Sequence, residues 1–206
     1  MDTNLTSWIL PVIALAAIFL GTGCAGGVRQ VGALQVRERT IERWDDGSLR
    51  TVLLAEPAEI DGIPCARWAR FFRGGRLEDA ELSRDCTING QPLPAGSRVF
   101  FTEAGVLEST FLSENTLLDG VPCDGGPMKC QTTFHPNGRV RMTFLHEDAE
   151  IQGVSCEGSV FASVRFDDQG RLVGCKLSRA ATIDGVSFPS GAKIERDEHG
   201  RMRVLD

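Results

Sequence analysis

From about residue 40 onward one spacing of apolar and polar positions recurs along the chain five times. Each unit opens on a glycine: Gly47, Gly75, Gly105, Gly138 and Gly170. Two residues later stands Leu49, Leu77, Leu107, Val140 or Leu172, and seven residues after the glycine comes Leu54, Leu82, Leu112, Leu145 or Leu177. Thirteen residues on is Ile60, Ile88, Leu118, Ile151 or Ile183, and at fifteen a second glycine follows: Gly62, Gly90, Gly120, Gly153 or Gly185. A truncated sixth unit opens at Gly200. The units run from 28 residues (Gly47 to Gly75) to 33 (Gly105 to Gly138), with all of the variation in their second halves. Self-similarity at this period marks a repeat protein, in which neighbouring units cover each other's apolar faces.

The turn chemistry predicts that the units are all-β. The tripeptides ending on the opening glycines are "DDG", "RGG", "EAG", "PNG", "DQG" and "EHG". A type I turn followed by a left-handed glycine fits them, because only glycine takes that conformation without steric cost. This three-residue loop sets Phe71 opposite Leu77, Phe101 opposite Leu107, Phe134 opposite Val140 and Phe166 opposite Leu172. The second turn, "DG", "NG", "DG", "QG" and "DG", is a two-residue hairpin signal flanked by apolar pairs such as Ile60/Ile63, Leu118/Val121 and Ile183/Val186. A third turn follows, as in "PAGS" at 94–97 and "PSGA" at 189–192. Three turns in each unit leave room for strands of about four to seven residues, and no helical period is sustained after residue 40.

Segments such as "FHPNGRVRMTFL" (134–145) and "FDDQGRLVGCKL" (166–177) resemble the MORN-type and YwqK-type β-hairpin repeats of bacterial proteins. The resemblance covers roughly residues 40–206. It implies an extended, twisted antiparallel sheet, with a three-sided β-solenoid as the alternative.

The N-terminal pattern is of another kind. From Trp8 to Leu20 every residue is apolar or proline. Thirteen residues make a helix of about 20 Å, against a hydrocarbon core of roughly 30 Å, which suits a signal peptide better than a permanent span. The run "LGTGCAG" resembles the lipobox of bacterial lipoproteins. That resemblance implies a signal peptide over 1–23, lipidation of Cys24 and, from Ala25 after it, retention at the outer membrane. Ordinary secretion and an uncleaved anchor stay open as other readings. All three place the rest of the chain outside the cytoplasm. Residues 24–39 read as a tether to a β-repeat domain spanning 40–206.

Composition narrows the chemistry. A hydrophobic share of 42% is enough for a core, and the net charge of −6 comes without a basic face for phosphate backbones, which argues against a nucleic-acid partner. Eighteen residues after the opening glycine the units carry Cys65, Leu93, Cys123, Cys156 and Phe188, an inward apolar slot that cysteine fills as a small hydrophobe. No spacing of cysteine and histidine forms a metal site, and no cofactor motif occurs. With Cys24 set aside, the six remaining cysteines form an even set in an oxidising compartment, with fifteen possible connectivities. Cys123 and Cys130 are the nearest pair in sequence, with Cys156 and Cys175 or pairs across units as other pairings.

His135 and His199 read as solvated turn residues, and His146 has no nucleophile or orienting partner beside it. Asp61, Asp119 and Asp184 read as turn formers rather than a calcium ladder. Arg76, Arg139, Arg171 and Arg201, each directly after a turn glycine, read as a solvated rim that discourages edge pairing. The functional expectation is a non-catalytic envelope lipoprotein, membrane-bound through its lipid, whose array is a structural or interaction surface for a protein or an envelope polymer. An exported inhibitor or immunity-type protein is the alternative, and an envelope hydrolase stands behind it.

Overall fold

The computed structural model describes residues 27–126 and 130–205. The signal segment 1–23 and Cys24 lie outside the described residues. The remainder is all-β. Its main element is a thirteen-stranded sheet running from Glu42–Arg43 at one edge to Met202–Val204 at the other. Strands neighbouring in the sheet follow one another in sequence once a small hairpin in each unit is skipped. Those hairpins are Cys86–Ile88 with Gln91–Leu93, Thr116–Leu118 with Val121–Cys123, Ala149–Ile151 with Val154–Cys156, and Ala181–Ile183 with Val186–Phe188. In the first unit the long strand Ile63–Phe71 serves both purposes, pairing Ala58–Ile60 at its start and the sheet at its end.

The sheet is open, and each pairing between its strands is antiparallel. The solenoid alternative, which stacks equivalent strands in parallel rungs, is therefore not what forms. Strand lengths also depart from the expected range: the hairpin strands are three residues long, and Ile63–Phe71 has nine.

The register of the opening turns is as the apolar pattern predicts. Phe71 pairs with Leu77, Phe101 with Leu107, Phe134 with Val140, and Phe166 with Leu172. One residue beyond each pair the ladder slips. Arg70 meets Asp79 and Phe100 meets Ser109, so that Glu78 and Glu108 are bulged out, and Arg50, Arg141 and Val173 hold the same place in the other units. A bulge inserts one residue and so inverts the alternation of faces. This is why leucines at positions two and seven, an odd spacing, both point into one core.

The core lies between the inner face of the sheet and the row of hairpins. The inner face carries Val52, Ala69, Ala80, Val99, Thr110, Thr132, Thr143, Val164, Cys175 and Ile194 in register across the strands, all buried. From the hairpin side come Ile60, Ile88, Leu118 and Ile151, with Cys65, Leu93, Cys123, Cys156 and Phe188 filling the slot at position eighteen. These side chains belong to one continuous cluster along the array.

The segment read as a tether is in large part folded. Val28–Val31 and Leu34–Arg37 form a hairpin, Val36 is fully buried, and it bridges to Leu54. Val31 opposite Leu34 matches Ile60 opposite Ile63, and Val36 occupies the cysteine slot. The hairpin is the second half of a further unit. Its turn is Gly32-Ala33 rather than Asp-Gly, with the left-handed glycine one place earlier (φ 60°), and this hid it from a search keyed to the glycine spacing.

Successive units are latched by the second turn. Asp61, Asn89, Asp119, Gln152 and Asp184 all adopt left-handed φ near 50°, as a two-residue hairpin turn of type I′ requires. In four of the five the side chain then reaches into the following unit. The N–H of Leu77 donates to Asp61 Oδ2 (2.9 Å), that of Leu107 to Asn89 Oδ1 (3.0 Å), that of Val140 to Asp119 Oδ2 (2.8 Å) and that of Leu172 to Gln152 Oε1 (3.0 Å). Turn formation, the role read from the sequence, is thus half of their function. Asp119 is the most heavily used, since Gln91 Nε2 also donates to its Oδ1 at 2.9 Å and to the Gly138 carbonyl at 2.9 Å. Asp119→Ala is expected to lower stability by about 2 kcal/mol, the cost of two orphaned half-buried donors. Asp119→Asn, which keeps one acceptor and the left-handed preference, is expected to lose about half as much. Urea midpoints of the two variants check this order.

Candidate functional site: the open face of the sheet

Among the described residues no hairpin covers the outer face of the sheet. Along one row across the strands stand Thr51, Arg70, Asp79, Phe100, Ser109, Thr133, Met142, Arg165, Gly174 and Glu195. Two residues away, a parallel row includes Trp68, Arg98, Phe111, Phe144 and Lys176. Five of these are large apolar side chains: Phe100, Phe111, Met142 and Phe144 are half-buried, and Trp68 is 43% exposed. An apolar stripe that a solvent-facing sheet would ordinarily replace with polar residues is a mark of contact with something else.

Its best-built part lies in the first two full units. Asp79 is 1% exposed and sits between two guanidinium groups. Arg98 reaches Asp79 Oδ1 through Nε (3.0 Å) and Nη2 (2.8 Å), and Arg70 Nε lies 2.9 Å from Asp79 Oδ2. Arg70 also donates to Glu78 Oε1 at 2.8 Å, and that carboxylate, with Asp79, holds the guanidinium above its ordinary pKa range. The Arg98 guanidinium covers the Phe100 ring at 5.0 Å, and Phe100 meets Phe111 edge-on at 5.7 Å between centroids. Trp68, Arg70, Asp79, Glu81, Gly96 and Arg98 line a cavity of about 450 Å³ that opens onto this face.

The pairings fix the Arg heads flat against the sheet while their outer edges remain in solvent. The result is a rigid platform of rings and planar cations with donors at the rim. Such a platform suits stacking and hydrogen bonding to a flat or extended partner.

Residues singled out from the sequence have other duties. Arg76 Nη1 donates to the Ala104 carbonyl at 2.6 Å and Arg139 Nη1 to the Gln169 carbonyl at 2.9 Å, each tying its loop to the next. Arg171 pairs with Asp167 at 2.7 Å within its own loop. The rim read as solvated cations is therefore in part an inter-unit clasp. His135 is half-buried rather than fully solvated, with Nε2 3.0 Å from the Phe166 carbonyl, and His146 Nδ1 lies 3.2 Å from the Pro122 carbonyl. Among the described residues no three His, Cys, Asp or Glu side chains converge as a metal site requires.

The six cysteines from Cys65 onward are free thiols in this structure, Cys123 and Cys130 among them. Cys123 is fully buried and points into the core, where its sulfur meets the Thr143 and Thr132 hydroxyls, whereas Cys130 is half-buried and faces Asp124. Burial pushes the Cys65 thiol up to about 12 and that of Cys123 up to about 11, so both stay protonated.

Sequence reasoning missed the outer face because its residues do not repeat. Position four of the five units holds Thr51, Asp79, Ser109, Met142 and Gly174, with nothing in common except that none belongs to the core pattern. The signal available was this very variability, combined with an unpaired Trp68 in a chain that has only three tryptophans. No family model matches the chain, and neither does any curated protein.

Proposed function

We propose that this protein is a non-catalytic lipoprotein of the bacterial envelope, held at the outer membrane through Cys24, whose open sheet face binds a protein or envelope polymer. The observation that carries this reading is the uncovered platform of Trp68, Arg98, Phe100 and Phe111, braced by the Arg70–Asp79–Arg98 cluster. Repeat arrays bind through extended faces built from many small contacts, and an aromatic–arginine patch is where such a face concentrates its affinity. The opposite, hairpin side offers a wide groove lined by Asp85, Pro92, Pro94, Glu114 and the 64% exposed Leu117, with no comparable cluster.

Two measurements test the proposal. Cys24→Ala is expected to move the protein from the membrane to the soluble envelope fraction, and unchanged fractionation would remove the lipid anchor from the picture. Crosslinking in the native envelope, followed by pull-down, is expected to capture a partner with the unaltered chain and with Leu117→Ala, but not with Trp68→Ala/Phe100→Ala. Equal capture by all three would sink the assignment of the sheet face.

A further inference from the structure

The repeat geometry brings two particular cysteines together. Position eighteen of a unit, on its hairpin, packs against the end of the next unit's sheet strand. Cys123 and Cys156 bridge to Leu145 and Leu177, and Cys65 pairs with Leu82, each partner lying at position seven of the following unit. Two residues before that leucine, on the same face of the strand, is position five. Position eighteen therefore neighbours position five of the following unit along the diagonal of the ladder. The successive combinations are Cys65 with Ala80, Leu93 with Thr110, Cys123 with Thr143, and Cys156 with Cys175. At the third the Thr143 hydroxyl is near enough to bear on the Cys123 thiol. At the fourth the two thiols are close enough for each to shift the other's titration. It is the one junction of these four at which both members are cysteines.

We propose that Cys156 and Cys175 close a disulfide joining the fourth unit to the fifth when the chain folds in contact with a disulfide oxidant. In the cell this rests on the export proposed above, because a reducing cytoplasm would keep both thiols free. The exchange balances in two steps. The Cys156 thiolate attacks one sulfur of the oxidant's disulfide, forming a mixed disulfide and expelling one oxidant thiolate. The Cys175 thiolate then attacks Cys156 Sγ, expelling the second. The two cysteine protons pass to the expelled thiolates, and the oxidant leaves as a dithiol.

The timing follows from burial. Cys156 is inaccessible and Cys175 is 4% exposed in the folded array. The neighbouring Cys175 and burial both push the Cys156 thiol up, so exchange belongs to the folding chain and the finished bridge is shielded. The backbone beside the pair is tied across the junction, with Glu157 N–H donating to the Lys176 carbonyl at 2.7 Å and a Lys176–Glu157 ion pair at 2.7 Å. The bridge would fix the strand that carries Lys176 and Gly174 on the outer face relative to the hairpin behind it.

Tryptic mapping tests this directly, since each of the six cysteines falls on its own fragment. The full chain is unfolded in urea with reductant, refolded against oxidised glutathione, alkylated and digested without reduction. The expected product joins fragments 142–165 and 172–176, lighter by two hydrogens than their sum and separated by reduction. Recovery of these two as separately alkylated peptides, or of Cys156 joined to another cysteine, overturns the proposal. Cys175→Thr, which installs the residue found at the same position in two other units, is expected to fold and to lose any shift of its unfolding midpoint on reduction. A persisting shift counts against the pair. The same digest on chain isolated from cells under alkylation separates the two ideas: a bridge present on refolding but absent in cells refutes the exported address and leaves the pairing intact.

Discussion

Adding one methyl group at Gly125 is expected to destabilise the array by about 3 kcal/mol, the upper end for overpacking a closed site. Gly125 has no left-handed backbone to protect, and the reason lies in its surroundings. A Cβ there would fall inside the van der Waals surface of the Glu114 carbonyl group, and Glu114 would have to move as backbone. Neither side can yield readily, because the Gly125 N–H is held at 3.0 Å by Asn115 Oδ1 and the preceding Asp124 N–H by the Phe144 carbonyl at 2.7 Å. Gly158 repeats the arrangement one unit later, pressed on Glu147 and held at 2.8 Å by Asp148 Oδ1. Gly153→Ala is the informative control. It lies at φ 81° with open space around it, so it should lose only the left-handed penalty of about 1 kcal/mol. Urea unfolding of the three variants would show two large shifts and one small one. A Gly125→Ala midpoint no lower than that of Gly153→Ala would mean the turn relaxes far more easily than its hydrogen bonds allow.

Leu145→Ala should cost a comparable amount, about 3 kcal/mol, by opening a cavity in the middle of the array. Leu145 is almost fully buried, pairs with Cys123 of the preceding hairpin and lies in the continuous core. Because the stability of a repeat array is a sum over units and junctions, a loss concentrated at one junction also weakens the coupling of the units on either side. The unfolding transition is accordingly expected to broaden or divide in two, where the unaltered chain gives one. Circular dichroism against urea reads both midpoint and width. Leu117→Ala, at an exposed position in a hairpin strand, should leave the curve within about 0.5 kcal/mol. A sharp single transition for Leu145→Ala with the full loss would show that the array unfolds as one body.

The repeat, its turns and its first ladder pairs were legible because each is written locally. A left-handed position demands glycine, and an apolar pair must meet across a short loop. Phe71 opposite Leu77 and Leu118 opposite Val121 follow from those two rules alone. What escaped was whatever depends on a neighbouring unit. The bulge at Glu78 leaves only an odd leucine spacing in the sequence. The reach of Asp61 to Leu77 and of Asp119 to Val140 spans 16 and 21 residues, a variable distance that no fixed-spacing search would align. The Trp68–Arg98–Phe100 platform was the least legible, since the outer-face residues differ from unit to unit while the scaffold stays constant. Val36 was hidden by a one-residue displacement of a single glycine.

The latches running from each hairpin turn to the next unit also give the array a direction in time. The side chain of Asp61, Asn89, Asp119 or Gln152 waits for an N–H that is synthesised 16 to 21 residues later, and none of these bonds runs the other way. A chain that emerges from its N-terminus can therefore settle one unit at a time, each closed by the arrival of its successor. In such growth the newest unit always lacks the latch that its successor will close.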